Sequence, residues 1–331
     1  MIASPRSGDV PPAMPGAAQV AVVLCTRDRP RFLARALEVL AEVLPAEAEL
    51  IVIDSGSATD ATARIAQRGS VRYVRSDVPG LSIARNLGLA ATSRDIVVYT
   101  DDDCELQPGA LGALLLPFTS PRVGATTGRL SDHAAPPVAA GGAAVRVFRA
   151  PADGIDAGHG ALMAYRTAVL RAIGGFDPLL GAGRAFGGAE DLDAFCRVLR
   201  AGSTVVHVPR AEVRHMFTRD DEDYAALQAA YGRGLGAMTR KWVAATGSPG
   251  RRIAWRVLRR AALGLVRHRG DARARAGRRA YVAGLREGYR RARDIPVSDL
   301  LFHDVAPPAP VRLGAPIAIA EHSPAPERGA A

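Results

Sequence analysis

Four short, mainly apolar runs alternate with helix-like segments over the first hundred residues of this 331-residue chain. The runs lie at residues 20–25, 50–53, 71–74 and 96–99. A segment that begins near Pro30 carries leucines on one helical face, namely Leu33, Leu37, Leu40 and Leu44. Buried strands that alternate with helices are typical of a parallel sheet covered on both faces. We therefore expect an α/β fold with a mainly parallel central sheet flanked by helices.

Polar clusters directly follow three of these strands. They are Thr26-Arg27, Asp54-Ser55 and Asp101-Asp102-Asp103. Ligands of open α/β sheets bind at the carboxyl ends of the strands, so the three clusters are expected to converge on one site. Three adjacent carboxylates repel one another unless a cation compensates them, and their oxygens are good ligands for Mg²⁺ or Mn²⁺. The pattern indicates a divalent metal that bridges a diphosphate.

Two further positions have both a structural and a chemical interpretation. Glu190 and Asp191 begin a predicted helix behind the glycine-rich loop 181–188, where they either cap the helix or meet an entering substrate. His215 follows a short predicted strand and is either a structural side chain or another metal ligand. The sequence contains no Walker loop and no GxGxxG turn, so phosphate recognition is assigned to the metal.

Composition divides the chain into five segments. We expect a disordered lead-in, two halves of one α/β domain, a basic helical appendage and a disordered tail, at residues 1–18, 19–130, 131–217, 218–300 and 301–331. A connector rich in Pro, Ala and Gly at residues 131–158 is expected to be flexible. Apolar residues make up 48% of the chain, which is enough for a sizeable core.

Neither a membrane-spanning run nor the apolar centre of a signal peptide is evident in the sequence, so we expect a cytoplasmic protein. The three cysteines, Cys25, Cys104 and Cys196, are odd in number and far apart. This spacing predicts neither a disulfide framework nor a thiolate zinc site. Buried thiols are the expected alternative.

The motifs CTRDRP, IVIDSGSATD, ARNLG, YTDDD, IGGFD and EDLDAFCRVLRAG, followed by His215, occur in a specific order. In that order they resemble the family-2 glycosyltransferases of the GT-A type, across about residues 20 to 217. The resemblance implies a nucleotide-sugar donor, a Mn²⁺ or Mg²⁺ ion, and transfer to an acceptor hydroxyl with inversion. It also implies that residues 19–130 bind the donor and that 131–217 bind the acceptor.

The resemblance assigns donor contacts to five residues. Thr26, Arg27 and Asp54 match positions that receive the nucleoside, with Asp54 at the base. Arg85 matches an arginine directed toward the donor, and Asp101 matches the nucleotide-contacting end of the DxD motif.

The same resemblance assigns the metal and the catalytic groups. Asp103 matches the metal ligand, and His215 a histidine near the metal and diphosphate. Asp102, the middle carboxylate, is also assigned to the donor site. Asp191 matches the general base and Glu190 its supporting neighbour.

Basic residues are concentrated near the C-terminus, where residues 251–293 hold fifteen arginines and only Asp271 and Glu287 as acids. Apolar side chains interleave with the arginines at helical spacing. An amphipathic helix of this kind either contacts a membrane surface, as suits a lipid-linked acceptor, or packs on the domain with a solvated arginine face. A carbohydrate or small-molecule acceptor is equally compatible.

Three competing functions remain to be weighed. A nucleotidyltransferase that makes nucleotide sugars would also use carboxylates and a metal, but the segment 26–30 lacks the glycine-rich loop expected of one. Nucleic-acid binding through the basic segment is disfavoured because few aromatics accompany its arginines, so no nucleic-acid partner is expected. A sugar-binding homologue without turnover is disfavoured because both acidic clusters are present.

Overall fold

The structure is a computed structural model that describes residues 13–68, 71–132, 144–216, 221–267 and 271–313. The first half of the domain alternates strands and helices. Its strands are β1 Val20–Thr26, β2 Glu49–Ser55, β3 Arg72–Ser76, β4 Ile96–Asp101 and β5 Cys104–Leu106. Its helices are α1 Pro30–Val43, α2 Ala61–Ala66, α3 Leu81–Ala91 and α4 Ala110–Leu115.

In the second half of the domain, strands and helices no longer alternate regularly. Its strands are β6 Val123–Asp132, β7 Arg146–Phe148, β8 Leu162–Arg166 and β9 Thr204–His215, and its helices are α5 Thr167–Ala172 and α6 Glu190–Arg200. Three long helices and a small hairpin follow, namely α7 Asp221–Thr246, α8 Ser248–Arg267, α9 Ala272–Arg291, β10 Val297–Ser298 and β11 Leu301–Phe302.

One large sheet runs through the domain in the order β3-β2-β1-β4-β8-β6-β9-β5, with β7 paired to the first half of β9. The first four strands in this order are parallel. Beyond β4 the sheet is mixed, because β8 is antiparallel to both of its neighbours while β6 and β9 are parallel to each other. The expected α/β fold with a helix-flanked central sheet is confirmed, and its parallel part is the half that precedes the acidic cluster.

Strand β1 explains why the first apolar run has no polar interruption. Val22 and Leu24 pack on one side of the sheet with Leu33 of α1, and Val23 packs on the other side with Ala84 of α3. A strand that is covered on both faces needs apolar side chains at every position. The termini of β1 and β4 are thereby held side by side in the interior of the domain.

The connector at residues 131–158 was expected to be flexible, but the part of it that the structure describes contains regular secondary structure. Residues 144–158 include β7 and a 3₁₀ helix, Pro151–Asp156, and Phe148 and Ile155 are buried there. These two apolar side chains anchor a segment whose Pro and Ala content suggested a loop. Residues 133–143 lie outside the described part of the chain.

The two expected disordered ends lie largely outside the described residues, which omit 1–12 and 314–331. Within the described part, Ala17–Gln19 form a 3₁₀ turn, and Phe302 of β11 is buried against Phe186. Order therefore continues past residue 301, where a tail was expected, because the hairpin buries an aromatic side chain on the domain.

A buried ion group fastens the C-terminal helices to the domain. Lys241 of α7 pairs with Asp177 and, at 3.0 Å, with Asp193 of α6. Trp242 donates to the same Asp193 carboxylate at 2.9 Å, and the backbone N–H of Phe302 donates to Asp177 at 2.9 Å. Helix α7 and the C-terminal hairpin are thus packed against the domain through a buried network, in which Arg197 also pairs with Asp193.

Helices α7 and α9 approach each other closely along a seam of glycines. A Cβ added at Gly232, Gly236, Gly284 or Gly288 would lie between 2.0 and 2.1 Å from a carbonyl oxygen of the facing helix. Only glycine permits such a backbone approach. No helix in the described ranges is long and apolar enough to cross a membrane.

Candidate active site

A cleft of about 650 Å³ opens at the carboxyl ends of β1 and β4. Residues from three parts of the chain form its walls: the strand ends, the loops at 158–161 and 182–189, and the C-terminal helices. Nine of the ten residues predicted from the sequence lie on it, namely Thr26, Arg27, Arg85, Asp101, Asp102, Asp103, Glu190, Asp191 and His215.

Asp54 is the predicted residue that does not line the cleft. Its side chain is fully buried and accepts hydrogen bonds from the Ser57 backbone at 2.8 Å, the Tyr73 hydroxyl at 2.8 Å and Arg75 at 3.3 Å. Its neighbour Ser55 does reach the cleft. In this conformation the Asp54 carboxylate orders the loop after β2.

Two of the three aspartates at the end of β4 are held by side chains from the end of β1. The Thr26 hydroxyl donates to Asp102 at 2.6 Å. Arg29 donates to Asp102 at 2.6 Å and to Asp103 at 2.7 Å. Arg29 was missed in the sequence, although its place in the polar segment after β1 is the signal that could have identified it. Arg27, by contrast, is largely exposed and lies beside Asp28.

Burial and hydrogen bonding give the aspartates different acidities. Burial would raise the pKa of Asp103, but hydrogen bonds from His215 and Arg29 outweigh it and lower that pKa below its usual range. Burial raises the pKa of Asp102 to about 7, although Arg29 and Thr26 act in the opposite direction. Asp103 is therefore the carboxylate that stays ionised across the physiological range.

The donor atoms around Asp103 suit a hard divalent cation. Ligand atoms of Asp101, Asp103 and Cys104 lie within 4.8 Å of one another. Pairing of β5 with β9 sets Cys104 opposite His215, whose Nε2 lies 3.5 Å from Asp103 Oδ2. Burial raises the pKa of the Cys104 thiol, so it stays protonated and is a poor ligand. The oxygens of Asp101 and Asp103, with the His215 nitrogen, are the ligands that fit Mn²⁺ or Mg²⁺.

Arg85 of α3 lies buried between the acidic cluster and helix α6. It donates to Glu190 Oε1 at 2.7 Å, and its second terminal nitrogen lies 3.4 Å from Asp101 Oδ1. Burial alone would lower the pKa of Arg85, but Glu190 and Asp101 raise it above its ordinary value. Arg85 therefore connects the two carboxylate groups as a permanent cation.

Glu190 and Asp191 form the first turn of α6, directly after Ala189, which has a left-handed backbone with φ 67°. Asp191 accepts a hydrogen bond from the Leu192 backbone at 2.8 Å, whereas Glu190 is turned to Arg85. Burial raises the pKa of both carboxyl groups and outweighs the opposing charge of Arg85. The neighbouring charge of Asp191 raises the pKa of Glu190 further, and the charge of Asp101 raises that of Asp191. The Asp191 carboxylate thus supports the helix end, and both Glu190 and Asp191 line the cleft.

Other lining residues carried no recognisable pattern in the sequence. His159 lies in the cleft, and its Nδ1 is buried without a hydrogen-bond partner among the described residues. Tyr231 and Leu235 of α7 and Tyr281 of α9 form a wall of the same cleft. Their position depends on how the C-terminal helices pack, which no local motif reveals.

Residues 21–138 match the family model for glycosyl transferase family 2. The matched segment is 118 of the chain's 331 residues, and over that segment the chain is similar to glycosyl transferase family 2. The segment covers the acidic cluster and Arg85, and it ends before Glu190 and Asp191. The likeness to the family therefore lies in the half of the domain that contains the parallel strands.

Two curated relatives extend the comparison beyond the matched segment. Both are the "Pre-mycofactocin glycosyltransferase" of Mycobacterium tuberculosis, from strains CDC 1551 / Oshkosh and ATCC 25618 / H37Rv. Each is 27% identical over 249 residues, which is 70% of this chain and 49% of the relative. The chain thus spans about half the length of the curated relatives it matches.

A solved structure shares the fold of this chain. The mannosyltransferase PcManGT from Pyrobaculum calidifontis, in complex with GDP-Man and Mn²⁺, superposes with a TM-score of 0.58. It is 17% identical, and the match covers 82% of this chain and 86% of that one. The match includes more than the family segment, so the GT-A type fold continues through the second half of the domain.

Proposed function

We propose that the protein transfers a sugar from a nucleoside-diphosphate sugar to an acceptor hydroxyl with inversion, assisted by a divalent metal. The observation that carries the proposal is the position of Arg85, which is bonded to Glu190 at 2.7 Å and lies 3.4 Å from Asp101. This arrangement holds a diphosphate-binding carboxylate cluster and a candidate base on facing parts of one cleft.

The donor side of the proposal rests on residues 19–130. They contain most of the segment that matches the family model, which ends at residue 138, and the structural relative PcManGT is bound to GDP-Man and Mn²⁺. Thr26, Arg27 and Asp101 border the part of the cleft where a nucleoside would lie. Asp54 contributes by ordering the loop that follows Ser55.

Asp101, Asp103 and His215 would hold Mn²⁺ or Mg²⁺. When bound, such an ion neutralises negative charge on a nucleoside-diphosphate leaving group. Arg29 now donates to the Asp103 oxygen that also faces His215, so this residue keeps Asp102 and Asp103 in place by charge pairing. Ionised Asp103, with its lowered pKa, is ready to bind a cation at neutral pH.

Asp191 is the proposed general base. It accepts the proton of the acceptor hydroxyl while that oxygen forms a bond to the anomeric carbon and the bond to the diphosphate oxygen breaks. Burial raises the pKa of Asp191, which makes its carboxylate a stronger base than one in water. Glu190 is a positioning residue, since its carboxylate binds Arg85 and fixes the first turn of α6.

The acceptor would enter along the wall formed by Tyr231, Leu235 and Tyr281. Two phenol rings and an isobutyl group favour an acceptor that has an apolar or flat face beside its reacting hydroxyl. A carbohydrate, a lipid-linked sugar and a small molecule can each present such a face. The curated relatives are named for pre-mycofactocin, which makes a small-molecule acceptor the first to test.

A donor panel tests the proposed function. The protein is incubated with Mn²⁺, individual nucleoside-diphosphate sugars and candidate acceptors, and nucleoside diphosphate release is measured. We expect one donor to release nucleoside diphosphate in an acceptor-dependent manner, with a product of inverted anomeric configuration. Consumption of a nucleoside triphosphate with a sugar 1-phosphate would instead establish a nucleotidyltransferase, and retained configuration would exclude Asp191 as base in a single displacement.

A further inference from the structure

Helix α8 has two apolar faces, of which one packs on the domain and the other points outward. The packed face contains Ile253 and Val257, both buried. On the opposite side Trp255, Leu258 and Leu263 are 61%, 63% and 57% exposed. At 3.6 residues per turn, the exposed positions from 251 to 263 span about 140° of the helix circumference.

The arginines of α8 divide in the same way as its apolar side chains. On the inner side, Arg256 pairs with Asp153 at 2.7 Å, and Arg260 pairs with Asp156. These ion pairs fasten α8 to the 3₁₀ helix at 151–156. The inner arginines are therefore structural.

The outer arginines have a different environment. Arg251, Arg252 and Arg259 are exposed, and within the described ranges no carboxylate pairs with them. Arg259 lies over the Trp255 ring, with its guanidinium carbon 5.2 Å from the ring centre. The outward face of α8, defined as Arg251, Arg252, Trp255, Leu258, Arg259 and Leu263, thus combines exposed apolar side chains with positive charge.

We propose that the outward face of α8 docks on an anionic lipid surface. A helix with this composition lies in the interface, with Trp and Leu at the acyl boundary and arginines at the phosphate headgroups. The described helices cannot span a bilayer, so the contact is peripheral. The proposal is independent of the sugar-transfer reaction, because the residues that carry it do not line the cleft.

Charge and shape favour a lipid surface over two other occupants. A second copy docked through the same face would bring the arginines of both copies together, and like charges repel. A nucleic acid would use the arginines and the indole but would leave Leu258 and Leu263 against a polar backbone. An anionic bilayer satisfies both the charged and the apolar side chains.

Vesicle sedimentation of the full chain tests the docking. Vesicles of phosphatidylcholine alone are compared with vesicles that contain phosphatidylcholine and phosphatidylglycerol in equal parts, at low and high salt. We expect binding to the anionic vesicles that weakens with salt and that falls roughly fivefold for each of Arg251→Gln and Arg252→Gln. Leu258→Ser should weaken binding, whereas Leu116→Ser, at a leucine 59% exposed elsewhere on the surface, should not.

Tryptophan emission gives a second readout that does not depend on sedimentation. The chain has two tryptophans, of which Trp242 is buried and Trp255 is exposed. Anionic vesicles should therefore shift the emission to shorter wavelength in the unmodified protein but not in Trp255→Phe. Equal binding to both vesicle types, no emission shift, or dimerisation that Leu258→Ser abolishes would each overturn the proposal.

Discussion

The guanidinium of Arg85 donates to Glu190 Oε1 at 2.7 Å and joins helix α3 to the first turn of helix α6. Arg85 is only 2% exposed, so its charge must be balanced by the groups around it. Glu190 and Asp101 provide that balance from two parts of the chain that are about ninety residues apart in sequence. The catalytic geometry and the stability of the domain consequently depend on the same ion group.

Replacement of Arg85 by Met should reduce the free energy of unfolding by about 3 to 5 kcal/mol, because a buried carboxylate loses its partner. Urea unfolding at neutral pH measures the loss. Arg35→Met is the matched control, since Arg35 pairs with Glu105 while its side chain is 53% exposed, and its loss should be within about 1 kcal/mol. Equal losses for the two variants would contradict a central role for Arg85.

Asp191→Asn should lower turnover about 10²- to 10⁴-fold, because the acceptor hydroxyl loses its proton acceptor. Donor affinity, measured by calorimetry, should change little. Asp193→Asn is the informative neighbour, because Asp193 accepts from Trp242 and pairs with Lys241, so this change should reduce thermal stability instead. If Asp191→Asn loses donor binding in proportion to turnover, Asp191 has a structural role.

Metal removal should abolish tight binding of a nucleoside diphosphate, and added Mn²⁺ should restore it. Asp103→Asn should prevent the restoration, since it removes the carboxylate whose pKa is held lowest. Asp102→Asn should weaken binding only about tenfold, as expected of a group that orients a ligand residue. Titration calorimetry of nucleoside diphosphate binding, with and without Mn²⁺, distinguishes the two variants. If Mn²⁺ restored binding in Asp103→Asn as it does in the unmodified protein, Asp103 would be excluded as a metal ligand.

The acid limb of the kcat/KM profile should lie above the ordinary range of a carboxyl group, near 4. Burial raises the pKa of Asp191, and the base must be ionised, so activity falls as the pH drops through that raised value. The contribution of Asp191 to the free energy of unfolding has the opposite pH dependence. It is fully present below the unfolded-state pKa and is lost as the pH rises through the raised folded-state pKa. Asp191→Asn should remove this part of the pH dependence of unfolding. An acid limb at the ordinary value would contradict the assignment.

Alanine should have opposite effects at two helical glycines. Gly284→Ala should destabilise the protein, because the new Cβ would lie 2.1 Å from the carbonyl oxygen of Ala229. Gly112→Ala should stabilise it by about 0.5 to 1 kcal/mol, since no atom lies within 4 Å of the added carbon and alanine favours a helix. Thermal unfolding compares the pair, and stabilisation at both positions would show that the α7–α9 seam can relax.

The parallel half of the fold was predictable because each of its strands is a local apolar run. The prediction also placed Asp101, Asp103 and Glu190 correctly at strand and helix ends, and these ends meet at one cleft. Their chemical roles remain proposals, since the family match ends at residue 138.

The cleft residues on the C-terminal helices could not be predicted because tertiary packing alone brings them to the cleft. Tyr281 lies about ninety residues after Asp191, on a helix whose sequence indicates only amphipathic character. Arg29 reaches Asp103 through the pairing of β1 with β4. The resemblance assigned Asp54 to the base of the donor, whereas in the structure Tyr73 and Arg75 from the neighbouring strand bind its buried carboxylate.

The buried pairing of Lys241 with Asp177 and Asp193 also constrains the order in which the chain can fold during synthesis. A ribosome delivers Asp177 and Asp193 well before Lys241, and the Phe302 backbone that binds Asp177 arrives later still. Until Lys241 and Trp242 arrive, Asp193 of helix α6 has Arg197 of the same helix as its ion-pair partner but lacks the bonds from α7 that complete the buried network. We therefore expect helix α6 to become fixed only after helix α7 has emerged, so the nascent protein depends longer on protection from aggregation than an independently folding N-terminal half would.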